Sequence, residues 1–289
     1  MRQVIKESQL RTLIKNAIYE AVNEVMLNEI QNKINNFQKR AQFIDNYNQK
    51  NGANPDNVWF IQTMIRKKDN PNKDLKAQYP NEYHGGAVYG NFSNGTAFLV
   101  HDGQELLTLE SQIVNFCDTN NARAVMWLNP RSESAVKAYC PKFRSSLVNR
   151  YGKPLPVTDP RNIYALELLY GQCKFDRKNF PERKYCKYDI DSTDPKVQDF
   201  CIKTIKQYLN LPDECFEKTA SGGLHVICPD QYDPIMKKLS YELRWLDRGQ
   251  RDIKTHKISD YPDLGFQQTA HFNEDANVIL YANVDTKGY

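Results

Sequence analysis

The chain has 289 residues, 40% of them hydrophobic and 26% charged, with a net charge of +4. That length suits one large domain or two small ones, and the composition is that of an ordinary globular protein. No apolar run reaches the roughly eighteen residues of a membrane span, and the N-terminus has no apolar signal-peptide core. The mild positive charge permits a nucleic-acid partner without arguing for one. Seven cysteines are scattered with no C-x-x-C pair. That pattern argues against a zinc site or a disulfide framework and for free thiols in a reducing compartment, so a cytoplasmic protein without a membrane partner is expected.

Apolar residues at Leu10, Leu13, Ile14, Ala17, Ile18, Ala21, Val22, Val25 and Met26 follow the three-four rhythm of an amphipathic helix, with Ser8 as N-cap. Asn and Gln then crowd Gln31 to Asn54. Residues 1–50 therefore read as a helical arm and polar linker, and 55–289 as the main domain. The arm either packs on its own domain or docks on a protein partner.

Val58 to Ile61 with Met64-Ile65 reads as a strand, closed by the basic turn Arg66-Lys67-Lys68. Ala87 to Tyr89 and Thr96 to Val100 read as a hairpin about Asn94-Gly95. A helix is expected over Glu105 to Cys117. Ala122 to Leu128 is apolar enough for a central strand, ending near Arg131. Ser134 to Val148 reads as a helix interrupted at Pro141.

Basic residues Lys174, Arg177, Lys178, Arg183, Lys184 and Lys187 are interleaved with Phe175, Phe180 and Tyr185. Cations for phosphates and rings for bases are what a single-stranded nucleic-acid groove uses. The patch runs into a strand, Tyr185 to Asp191, on which period-two alternation puts Asp189 and Asp191 on one face. Two adjacent carboxylates repel unless a cation lies between them, and oxygen ligands suit magnesium or manganese. A helix is expected from Asp194-Pro195 to Pro212. Ser221-Gly222-Gly223 then permits a tight turn whose outward amides can cradle phosphate, followed by His225, a donor to phosphate oxygen, on a strand from Leu224 to Cys228. Lys218 is within reach of the same phosphate. A strand–helix–strand crossover would bring both motifs to one edge of a sheet. The outline is that of a site for nucleoside triphosphates.

Asp189-Ile190-Asp191 followed by Ser221-Gly222-Gly223-Leu224-His225 resembles the motifs of the archaeo-eukaryotic primase (primase–polymerase) superfamily, over roughly Ala122 to the C-terminus. Asn277-Val278-Ile279-Leu280-Tyr281 is similar to a segment of tailed-phage proteins with a primase-like core. The resemblance implies an α/β (α+β) sheet with flanking helices and metal-dependent nucleotide addition on a single-stranded DNA or RNA template. It makes Asp189, Asp191 and His225 catalytic, and Ser221, Gly222, Gly223, His225 and Lys218 nucleotide-binding. The third metal carboxylate would be Asp285 or Asp275, neither matching the pattern cleanly. It makes Arg131 a template contact beside Arg177, Lys178, Arg183 and Lys184, and implies a bacterial host cytoplasm if phage-encoded. A primase-like binding protein without catalysis and a metal-dependent nuclease stay open as alternatives.

Overall fold

The computed structural model describes residues 33–80, 82–146, 152–156, 159, 182–190, 193, 195–219, 222–237, 239, 266–267 and 277–283. In chain order its elements begin with β1 (Lys33–Asn35), α1 (Phe37–Asn51), β2 (Asn57–Arg66), α2 (Leu75–Gln78), β3 (Tyr83–His84), β4 (Ala87–Tyr89) and β5 (Ala97–Val100). There follow α3 (Gly103–Thr108), α4 (Glu110–Asn120), β6 (Arg123–Trp127), β7 (Arg131–Ser132) and α5 (Glu133–Ser146). The last group is β8 (Tyr185–Ile190), α6 (Pro195–Leu209), β9 (Phe216–Lys218), β10 (Leu224–Pro229), β11 (Phe266–Gln267) and β12 (Asn277–Asn283). The fold is mixed α+β, with two antiparallel sheets and flanking helices. No helix among the described residues is long and apolar enough to cross a membrane.

The larger sheet has the order β1-β12-β6-β2-β4-β3, with β5 and β7 also paired to β2. Its central strand is apolar on both faces because both faces are covered. Trp59 and Ile61 look toward α1 and α4, where Phe37, Ile44, Ile113 and Cys117 complete one core. Val58 and Phe60 look the other way, onto Trp127 and Val136 of α5. β4 and β5 each pair with β2, at Met64–Arg66 and Trp59–Gln62, and not as the hairpin expected. Thr63 explains the difference: its carbonyl accepts from Gly90 N–H and its N–H donates to the Thr96 carbonyl, so both ends of the connecting loop bond to β2. A Cβ at Gly90 would stand 2.2 Å from the Thr96 oxygen, which restricts that position to glycine. The helix expected over Glu105 to Cys117 is two, divided at Leu109.

The stretch read as a polar linker forms β1 and α1. Phe37, Ala41, Ile44 and Tyr47 recur at helical spacing and are buried in the main core, while the Asn and Gln residues take the other face. The N-terminal helix expected upstream lies outside the described residues.

The smaller sheet has the order β11-β8-β10-β9. β8 and β9 both run antiparallel to β10, so β8-α6-β9 is a split β-α-β unit with β10 inserted between its strands. That replaces the direct crossover expected from sequence. Strict alternation divides the sheet. Cys186, Tyr188, Ile190, Leu224, Val226 and Cys228 face Cys201, Ile205 and Leu209 of α6. Tyr185, Lys187, Asp189, His225 and Ile227 occupy the opposite, inner face.

Asn129 joins the sheets. It is 1% exposed; its amide donates to the Tyr185 carbonyl at 3.0 Å, and its side-chain oxygen accepts from the N–H groups of Lys184 and Tyr185, each at 2.9 Å. Tyr47 of α1 adds a hydrogen bond to the Glu182 carbonyl. Asn129→Ala removes the partner of three part-buried backbone groups and should cost about 2 kcal/mol. Urea denaturation followed by tryptophan fluorescence tests this, and an unchanged midpoint would contradict it.

Candidate active site

The inner face of the smaller sheet carries a row of ionisable side chains across three strands. His225 on β10 lies directly opposite Asp189 on β8 and Glu217 on β9. Antiparallel pairing puts directly opposed side chains on the same face, so all three carboxylate and imidazole groups share it. Lys187, two residues before Asp189, joins them. His225 Nε2 lies 3.0 Å from Asp189 Oδ1, and Lys187 Nζ lies 3.4 Å from the same oxygen. Neither contact meets hydrogen-bond alignment, so this buried oxygen is held mainly by charge.

The row is enclosed by elements of the larger sheet. Lys187 Nζ donates to the Asn277 carbonyl on β12 at 2.8 Å. Arg40, on α1 and only 2% exposed, donates to the Ile279 carbonyl and forks onto both Glu217 oxygens. Lys39 Nζ is 2.8 Å from Glu217 Oε1. The five described groups Lys187, Asp189, His225, Glu217 and Arg40 therefore alternate in charge around the imidazole, and each end is pinned to β12.

Their protonation follows from this enclosure. Burial pushes the Asp189 carboxyl up, but Lys187 and His225 outweigh it and hold it below its ordinary 3.8. Burial pushes His225 down from 6.5 and Lys187 adds to the shift, while Asp189 and Glu217 oppose it without reversing it. Burial raises Glu217, and Arg40 with Lys39 brings it below 4.5. The resting state is a neutral imidazole between two carboxylates that are themselves matched by buried cations.

The glycine turn is the β9–β10 hairpin. Gly222 has φ +86°, and its N–H donates to the Thr219 carbonyl at 3.0 Å. That amide is spent inside the turn and does not point outward as expected. The Gly222 carbonyl accepts from Gln198 of α6 at 2.8 Å, and Gly223 closes the loop through its carbonyl to Thr219 N–H. Lys218 is opposite Leu224 in the register and bonds to Gln198, on the α6 side. It is thus on the other face from His225, and Glu217 occupies the position sequence reasoning gave to its neighbour.

Arg131 is not presented to a template. It is 1% exposed, with its guanidinium 5.3 Å from the Trp127 ring. Arg183 is 8% exposed and lies 2.6 Å from Asp230 and 3.4 Å from Asp233. Lys184 is exposed. Asp191, Ser221, Asp275, Asp285, Arg177 and Lys178 lie outside the described residues. Among the described residues, Asp189 and His225 are the expected catalytic groups that the fold brings together.

Asp189 offers a buried, ionised oxygen of the kind a hard divalent ion takes, with Lys187 as its competing cation. A separate group, Cys186, Asp230 and Asp233, places three donor atoms within 4.8 Å of one another on the α6 face. Arg183 and Lys237 already match both of its carboxylates. Comparison with protein-family models, curated proteins and solved structures returned no match.

Both pKa shifts act on stability with one sign. The unfolded chain binds a proton at His225 below pH 6.5 that the folded chain refuses, so stability is complete above 6.5 and falls as the pH drops toward the folded pKa. Asp189 contributes above 3.8 and loses its contribution as the pH falls through its lower folded value. His225→Gln should therefore flatten the first part of the acid limb, just below pH 6.5, in urea midpoints measured against pH. Equal slopes in both proteins would contradict the assignment.

Proposed function

We propose that the chain is a metal-dependent nucleotidyltransferase of primase–polymerase type, extending a nucleic-acid strand from nucleoside triphosphates on a single-stranded template. The observation that carries the reading is the direct pairing of Asp189 with His225 on the enclosed inner face. Two motifs distant in sequence meet there at 3.0 Å. Asp189 and Asp191, with Asp285 or Asp275, would hold magnesium or manganese. A bound divalent ion neutralises triphosphate charge and favours attack of a hydroxyl on the α-phosphate. His225, neutral near physiological pH, donates a ring N–H to a phosphate oxygen. The enclosure by Arg40, Lys187 and β12 limits water at the reacting groups. Lys184, exposed just before β8, would meet a template phosphate.

One observation favours a second reading. Lys187 neutralises Asp189 without any metal, as a fold that had kept the site's frame for binding alone would require. The assay that separates them is nucleotide incorporation on primed and unprimed single-stranded DNA with magnesium or manganese. Metal-dependent extension is expected, abolished in Asp189→Ala and reduced on the order of 100-fold in His225→Ala. Extension that is equal in Asp189→Ala, or absent in folded wild type across several templates, would overturn the proposal and leave the binding reading.

A further inference from the structure

On the α6 face of the smaller sheet, Cys186 and Cys228 are directly opposed in the β8–β10 register. Their sulfurs are 3.4 Å apart, and the residues are 2% and 0% exposed. Directly opposed residues of an antiparallel pair have Cα atoms about 4.5–5.5 Å apart, inside the roughly 4.4–6.8 Å that a cystine spans. The two thiols therefore need only side-chain rotation to meet, with no movement of either strand.

We propose that Cys186 and Cys228 are a reversible modification site, a dithiol that a peroxide converts to a cross-strand disulfide. The inference is independent of the activity proposed above. One thiol attacks the peroxide O–O bond as its proton leaves, giving a sulfenic acid and one water. The second thiol attacks that sulfur, its proton leaves with the hydroxyl as a second water, and the S–S bond forms. Two thiols and one hydrogen peroxide thus give one disulfide and two waters, and a small dithiol reverses the step.

The surroundings set how the pair responds. The hydrogen bond to Cys228 and burial keep Cys186 protonated, so the resting dithiol is slow to react with bulky reagents. A peroxide molecule is small enough to enter when the strand pair opens locally. Asp230 and Asp233 beside Cys186 are matched by Arg183, at the same end of β8, and by Lys237. Cys186 and Cys228 are each three residues along their strands from Asp189 and His225. Oxidation therefore staples the ladder whose register holds those two groups together.

The full chain, treated with hydrogen peroxide and then alkylated under denaturing conditions, is digested and mapped by mass spectrometry. A peptide pair linked through Cys186 and Cys228 should accumulate in wild type, disappear on treatment with dithiothreitol, and be absent from Cys186→Ser and Cys228→Ser. The oxidised chain should melt on the order of 5 °C higher than the reduced chain. If both cysteines of the folded, peroxide-treated wild type stay fully alkylated, or convert to sulfinic acids without the linked peptide, the proposal is wrong.

Discussion

The register of β10 against β8 is the constraint on which the rest depends. It sets Asp189 opposite His225, Cys186 opposite Cys228, and the apolar Tyr188 opposite Val226. A slip of one residue would turn every side chain over, driving a carboxylate and an imidazole into the packing of Cys201 and Ile205. The cost of burying those charges among apolar side chains excludes the slipped state. The same alternation that builds the α6 core thus builds the polar inner face.

A polar inner face can exist only if the larger sheet supplies partners for it. Arg40 and Lys187 do this by donating to the β12 carbonyls of Ile279 and Asn277 while matching Glu217 and Asp189. Asn129, in the loop after β6 of the larger sheet, fixes the start of β8 in the smaller one. Removing one member of such a buried set leaves the others as unpaired buried charge, so the network holds or fails as a unit. α1 thereby belongs to the site as much as β8 does.

Much of this was legible in the sequence where one physical signal acted locally. Apolar density marked β2, β6 and β10, alternation marked β8, and Pro195 with Pro212 bracketed α6. Period two also put Lys187 on the face of Asp189. What escaped reading depended on long-range pairing. The insertion of β10 between β8 and β9 has no local signature, and it moved Lys218 off the site and put Glu217 on it. Arg40 sits in a run of Asn and Gln whose buried positions, Phe37, Ala41 and Ile44, are sparse enough to pass for a linker. Arg131 and Arg183 looked like surface cations because composition cannot reveal that Trp127 and Asp230 await them. For Asp230 and Asp233, the spacing on a turn after β10 was the one available sign.

The central proposal is that Asp189 holds a divalent cation beside His225 on the inner face. It is tested most directly by adding manganese to protein labelled at its histidine rings and following paramagnetic broadening by NMR. The account predicts that the His225 resonance broadens first among the histidines and that Asp189→Asn removes the effect. Broadening that is uniform across the histidines, or unchanged in Asp189→Asn, would contradict it.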